Sequence, residues 1–240
     1  MSRSKFWLAA AAAVACAGAI RAEEVTADFE GEDALARWEI KGDVTLDNAR
    51  ARNGSSLKVA PGAQARLKLR AEDGSGTVKF WVFDDGTVPE DPKVSRAGPH
   101  WGVMDADGHI LAIGPLYAKY LGGDKSYATG EYDPAKRQNP VWKPQHLGLP
   151  RKAEWREFTF QFDPDAGLKI LVDGKDVNAQ RLRFDWNKSN VAGFVGIVIV
   201  GDKKDGVAQT IWVDDISVTL GGPMNVKPVP PPAAPAPAAQ

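Results

Sequence analysis

The stretch Trp155 to Gly174, WREFTFQFDPDAGLKILVDG, decides the fold class. Phe158, Phe160 and Phe162 alternate with Thr159 and Gln161, and Leu168, Ile170 and Val172 repeat the pattern before Asp173-Gly174. A period of two puts every second side chain on one face of an extended strand, whereas a helix needs a period near 3.6. Asp-Gly accepts the positive φ angles of a tight hairpin turn. The segment therefore predicts two strands that pair as a hairpin.

Working outward, Ala65-Arg66-Leu67-Lys68-Leu69-Arg70 puts its apolar members on one face and its basic ones on the other, as a half-buried strand requires. Phe194 to Val200 is apolar at nearly every position, which predicts a strand covered on both faces. The stretch best suited to a helical turn is Asp33 to Arg37, with Asp33 as its cap. No repeat of fixed period occurs. Many short strands separated by Gly and Pro predict an all-β fold, two antiparallel sheets sharing one core in a single domain over residues 24–221. The long polar stretch Gly122 to Pro150 is expected to be loop. The 24 Gly, 17 Pro and eight Trp among 240 residues, with three Met and one Cys, agree with a turn-rich β protein.

Lys and Arg number 30 against 31 Asp and Glu, a net charge of -1, so the chain exerts no broad attraction on nucleic acid or an anionic membrane. Met1 to Ala22 has Arg3 and Lys5, then uncharged residues from Phe6 to Ile20, then small residues: a cleaved secretory signal, with the cut after Ala19 or Ala22. The uncharged stretch is shorter than the roughly 20 residues that a transmembrane anchor needs. Export to the outside or the periplasm is expected, and the mature chain then carries 27 basic against 31 acidic residues. The one cysteine, Cys16, lies in the signal, so the fold is expected to stand without disulfides. Ala13-Val14-Ala15-Cys16 resembles a bacterial lipobox with Ala13 where Leu is usual, which makes a lipid anchor on Cys16 the lesser expectation. Residues 222–240 hold seven prolines among alanines and are expected to form an extended, disordered tail.

Three stretches resemble one group of families. Asp28-Phe29-Glu30-Gly31 followed by Trp38, with Gly54-Ser55-Ser56-Leu57-Lys58-Val59, is similar to the opening of jelly-roll carbohydrate-binding modules. Trp155-Arg156-Glu157-Phe158 through Val172-Asp173-Gly174-Lys175 resembles the hairpin of laminin G-like and concanavalin A-like domains, and Ile211 to Val218 resembles their closing strand. The resemblance implies a two-sheet antiparallel jelly-roll sandwich that binds polysaccharide or another glycan, some of whose relatives cleave it.

In those modules the first and last strands lie side by side and a structural calcium uses a Glu near the start and an Asp near the end; the matching positions are Glu30 and Asp214 or Asp215. The closing strand itself changes phase, with Ile211 and Val213 on one alternation and Ile216, Val218 and Leu220 on the other. A β-bulge at Asp214-Asp215 would absorb the extra residue. Calcium prefers six to eight oxygens, so two carboxylates would need backbone carbonyls and water beside them. The plainer alternative is a solvated acidic edge.

Sugars present flat apolar faces ringed by hydroxyls and call for exposed rings beside fixed polar groups. In Val78-Lys79-Phe80-Trp81-Val82-Phe83, burial of Val78, Phe80 and Val82 would present Trp81 and Phe83 beside Lys79. His100, Trp101, Tyr117, Lys119, Tyr120, Tyr127 and Tyr132 follow. The expected glycan surface is Trp81, Phe83, Trp101, Tyr117, Lys119, Tyr120 and Tyr127; any single ring is better suited to a sandwich core, and it is the cluster as a group that points to a site.

Catalytic patterns are sparse. Paired acids at alternate positions on one strand, as glycoside hydrolases of this fold use, do not occur: Glu154 and Glu157 are three apart. Asp105-Ala106-Asp107-Gly108 reads as a hairpin turn rather than a calcium loop, and His100, His109 and His146 lack metal-ligand spacing. Tyr117, Lys119, His109 and Arg137 are the right types for a lyase that abstracts a proton from a uronic acid. The reading is a secreted, non-catalytic glycan-binding domain. The alternatives are a polysaccharide lyase or glycoside hydrolase on the same fold, and an adhesion domain with a protein partner.

Overall fold

The computed structural model describes residues 23–69, 74–91, 93–105, 108–118, 126–132, 145–163, 167–177, 196–204 and 206–223. The signal segment with Cys16, the tail beyond 223, and Phe194 lie outside the described residues. The strands are β1 (Glu23–Ala27), β2 (Trp38–Lys41), β3 (Val44–Asp47), β4 (Ser56–Val59), β5 (Gln64–Lys68), β6 (Gly74–Asp84), β7 (Ser95–Ala97), β8 (His100–Met104) and β9 (Ile110–Ala118). They continue with β10 (Ser126–Tyr132), β11 (Gln145–Pro150), β12 (Trp155–Asp163), β13 (Gly167–Val172), β14 (Lys175–Asp176), β15 (Gly196–Val200), β16 (Asp202–Lys204), β17 (Val207–Gln209) and β18 (Ile211–Pro223). Among the described residues there is no helix, and none therefore long and apolar enough to cross a membrane. The 33–37 segment is a run of turns, with Ala34 N–H on Gly31 O, Ala36 on Asp33 and Trp38 on Leu35.

Two large antiparallel sheets stack as a sandwich. The first runs β14-β13-β12-β6-β18-β4-β3, with β1 pairing the second half of β18; the second runs β11-β10-β9-β8-β15-β5-β2, with β7 on β9. This is a jelly-roll sandwich in which the first and last strands lie side by side, Glu23 opposite Leu220 and Ala27 opposite Ile216. The hairpin read from residues 155–174 forms in the expected register, Phe158 facing Val172 and Phe160 facing Ile170. Asp173 (φ 51) and Gly174 (φ 73) make the two-residue turn into β14, the positive φ pair of a type I′ turn. Strand β15 lies between β8 and β5, and four of its five residues are buried whichever face they point to.

The core is filled by one alternation from each sheet. Val78, Phe80, Val82, Phe158, Phe160, Ile170 and Val172 meet Leu67, Trp101, Val103, Leu111, Ile113, Ile197 and Ile199 in one cluster. The bulge in β18 is present: Asp214 pairs with Trp81 while Ser217 pairs with Lys79, three steps against two. That one extra residue keeps Ile211 and Val213 buried together with Ile216, Val218 and Leu220, and Asp215 takes the positive φ of 46.

The 122–150 stretch differs from expectation. Ser126–Tyr132 is strand β10, paired with β9, and Gln145–Pro150 is strand β11. Tyr127 and Thr129 point inward while the alternate positions carry Ala128 and Gly130, so small residues hide the period of two. Strands β8 and β9 pair as the expected hairpin, and its closing bonds run from Asp105 N–H to His109 O and from Gly108 N–H to Asp105 O; residues 106 and 107 lie outside the described residues.

Candidate functional site

Because Val78, Phe80 and Val82 are buried, Lys79, Trp81 and Phe83 project from the outer face of the first sheet, where all three are half-buried. Register across the sheet then assembles what the chain separates. Phe83 on β6 faces Trp155 on β12 and Trp212 on β18, so three aromatic rings form one row over three neighbouring strands. The rings meet edge to face, with centroids 5.7 Å apart for Phe83–Trp155 and 5.9 Å for Phe83–Trp212, a geometry aromatic quadrupoles favour. Two residues along on the same face, Trp81 sits between Glu157 and Asp214. Trp212 and Trp155 belong to this surface although the local pattern does not assign them to it; the signal was their outward phase against Val213 and Phe158, but only pairing shows that they share a row.

The segment joining β3 to β4 adds cations. The Arg50 guanidinium lies 4.5 Å from the Phe83 ring and 4.3 Å from the Trp212 ring, and that of Arg52 lies 3.7 Å from Trp81. Trp212 Nε1 donates to Asp47 Oδ2 at 2.8 Å, and this bond leads the effects that hold the Asp47 carboxyl below its ordinary range.

The acids expected at a calcium site surround the neighbouring loop. Ser55 N–H donates to Glu30 Oε1 at 2.8 Å and Arg52 N–H to Asp214 Oδ2 at 2.8 Å, so both carboxylates close over residues 52–55. Gly54 (φ 54) leaves room for Glu30: a Cβ there would stand 1.9 Å from Glu30 Oε2. Asp214 is fully buried, and burial raises its carboxyl pKa above the ordinary range. Asp215 is turned by the bulge toward Arg52 and pairs with its guanidinium, so its carboxylate meets a side chain of the loop rather than the loop backbone. Of the expected ligands, Glu30 and Asp214 thus border one loop, and each accepts a backbone N–H from it. Among the described residues no three acidic, His or Cys side chains cluster, so backbone carbonyls and water would have to complete any shell.

The other rings expected on a glycan surface are enclosed. Trp101 is 0% exposed and packs edge to face with Tyr127 and Phe158 at 5.8 and 5.0 Å. Trp101 and Tyr127 therefore fill the core, because they share the inward phase of Val103 and Thr129. Tyr117 is also buried; its hydroxyl donates to Gln209 Oε1 at 2.7 Å, and burial pushes its pKa upward. Gln209 belongs to a polar cluster at this end of the sandwich, where Arg151 donates to Asp84 Oδ2 and Oδ1 at 2.8 and 2.7 Å. These three rings do not reach water, which removes them from an exposed binding surface. Lys119 and Tyr120 lie outside the described residues.

Of the residue types suited to a lyase, the two among the described residues, His109 and Tyr117, are not brought together. His109 directly precedes β9 and Tyr117 lies near its other end; at about 3.3 Å per residue, they are on the order of 26 Å apart. His109 Nδ1 is 2.8 Å from Asp105 Oδ2, and Lys119 and Arg137 lie outside the described residues.

No family model matches the sequence, and no characterised protein matches it by sequence. Solved structures do match by fold. The cellulose induced protein Cip1 is 18% identical, covering 81% of this chain and 96% of its own, at a TM-score of 0.58. The Crh5 transglycosylase in complex with NAG is 16% identical over 83% of this chain and 85% of its own, with a TM-score of 0.53. A carbohydrate esterase from the Shiga toxin-encoding bacteriophage phi24B is 12% identical over 82% and 98%, at 0.50. These likenesses define the class: a two-sheet jelly-roll sandwich of the concanavalin A-like type. At such identity they speak for the fold, and function must come from the site.

Proposed function

We propose that this chain is exported and binds a polysaccharide or related glycan, without cleaving it, on the outer face of the first sheet. The observation that carries the reading is the half-buried pair Trp155 and Phe83 with Trp81 beside it, aromatic rings directed away from the core, while Trp212, 8% exposed, closes the row beneath Arg50. Sugar rings bury their apolar C–H faces against such surfaces while their hydroxyls reach edge groups such as Lys79 and Glu157. Arg52 stands over Trp81, but it is exposed. A cation–π contact there is worth about 0.5–1 kcal/mol and its surface ion pair about as little, so a ligand can displace it.

The fold neighbours support a carbohydrate ligand, since two of them are named for carbohydrate chemistry. The same names favour one second reading, an enzyme on this fold. Residues 1–22 would direct export, and Glu30 with Asp214 would hold a structural calcium that pins β1, β18 and the 52–55 loop together.

The test is a glycan array with the mature chain, alongside assays for new reducing ends and unsaturated products. Trp81→Ala and Trp155→Ala should each weaken binding by about thirtyfold, as truncating an aromatic anchor costs about 2 kcal/mol. Product formation would transfer the assignment to the enzyme reading. Binding that survives both substitutions unchanged would remove the site.

A further inference from the structure

Among the described residues, four arginines pack against aromatic rings, and three of them also face a carboxylate. Arg52 pairs with Asp215, Arg96 with Asp202, and Arg151 with Asp84. The fourth, Arg50, has no ion pair or side-chain hydrogen bond among the described residues. Its guanidinium is half-buried between Phe83 and Trp212, in the middle of the aromatic row.

The local backbone is fixed beneath it. Arg50 O accepts a 2.6 Å hydrogen bond from Ser56 Oγ, and its N–H contributes to the bonds received by the Asp47 carboxylate, which itself holds Trp212 Nε1. The plane is therefore preorganised by two rings and a bonded backbone, while its N–H fork is spent on nothing in the described protein. A planar guanidinium in that state matches a planar carboxylate, which accepts two parallel charge-assisted bonds. Stacking on the rings lowers the entropy lost when such a pair forms.

We infer that the ligand of this face is an acidic glycan, and that Arg50, seated on Phe83 and Trp212, recognises the carboxylate of a uronic acid whose sugar ring lies against the neighbouring Trp155 and Trp81. The inference rests on the glycan-binding reading and adds its ligand class and specificity residue. A neutral sugar would leave the fork hydrated and gain only the ring contact; a uronate gains both. Lys79 on the same face is already bridged to Glu157 at 3.4 Å, so Arg50 is the cation that discriminates.

The experiment measures binding of the full mature chain to a panel of neutral polysaccharides and of uronate-containing ones, with matched pairs made by oxidising the C6 hydroxyls of the same polymer. Uronate polymers should bind at least tenfold more tightly than their neutral partners, and the difference should shrink with added salt. Arg50→Gln should abolish the preference, lowering uronate affinity by about ten- to hundredfold and by clearly more than it lowers affinity for the neutral partners. Arg50→Lys keeps the charge and stem but not the fork; it should keep part of the salt dependence and lose most of the preference. Thermal melts and near-ultraviolet circular dichroism establish that each variant is folded. Equal binding of both polymer classes, preference for sulfated over carboxylated polymers, or uronate binding unchanged in Arg50→Gln would overturn the inference and leave the glycan-binding reading standing. Absence of binding to every polymer would overturn both.

Discussion

Replacing Asp84 by Asn removes the counter-charge of an arginine whose side chain is 3% exposed, at a site where Asp84 itself is 1% exposed. In the native chain, Arg151 Nε and one terminal nitrogen hold the two carboxylate oxygens at 2.8 and 2.7 Å, and Gln209 Nε2 also donates to Oδ1. Asn keeps the shape and one acceptor but takes away the negative charge that two nitrogens of the Arg151 guanidinium address. Removing one partner of a buried pair costs about 3–5 kcal/mol, because the survivor stays desolvated. For a domain of this size each kcal/mol moves the melting temperature by about 2–4 °C, so Asp84→Asn should melt about 6–20 °C lower. Arg151→Met should fall by a similar amount. The double variant Asp84→Leu with Arg151→Met should be well above the sum of the two losses, since it buries no orphan charge. Melts followed by circular dichroism, with urea unfolding as a second measure, give all three values. If Asp84→Asn melts within about 2 °C of the parent, or if the double loss is additive, the cluster does not close this end of the sandwich as argued. It then becomes a candidate for other chemistry.

Three further outcomes are expected. Burial holds the His100 imidazole below its ordinary 6.5, so folding favours the neutral ring; its contribution to stability is whole above pH 6.5 and is lost as pH falls toward the lowered folded value. Melting temperature should therefore drop on acidification, and His100→Gln should flatten that drop; an identical pH profile in the variant refutes the assignment. Gly174 has φ 73 and open space around its Cβ position, so Gly174→Ala meets only backbone strain of about 1–2 kcal/mol and should melt a few degrees lower. An unchanged melt would mean the turn is not type I′. Chelation with EDTA should lower the melting temperature if Glu30 and Asp214 hold calcium, and Glu30→Gln should abolish the response; an EDTA-insensitive parent removes the proposed metal.

Much of the architecture was legible from local pattern. Phe158, Phe160, Ile170 and Val172 alternate cleanly, and the hairpin forms in the register they imply. The phase change between Val213 and Ile216 announced the bulge, because no unbroken strand can bury both. Strand β10 was missed for the converse reason: its outward positions carry Ala128 and Gly130, which give no polar contrast to mark a face.

Sequence by itself determined which side chains point inward on most strands, since a period of two acts within a few residues and needs no partner. It also set Trp81 and Phe83 outside as soon as Val78, Phe80 and Val82 were inside. The tertiary structure alone decided that Trp101, Tyr117 and Tyr127 are enclosed while Trp155 and Trp212 join Phe83 in one row under Arg50. Those partners come from distant parts of the chain and meet only when β12, β6 and β18 pair. A ring's exposure depends on what the opposite sheet lays over it, and no local period carries that information.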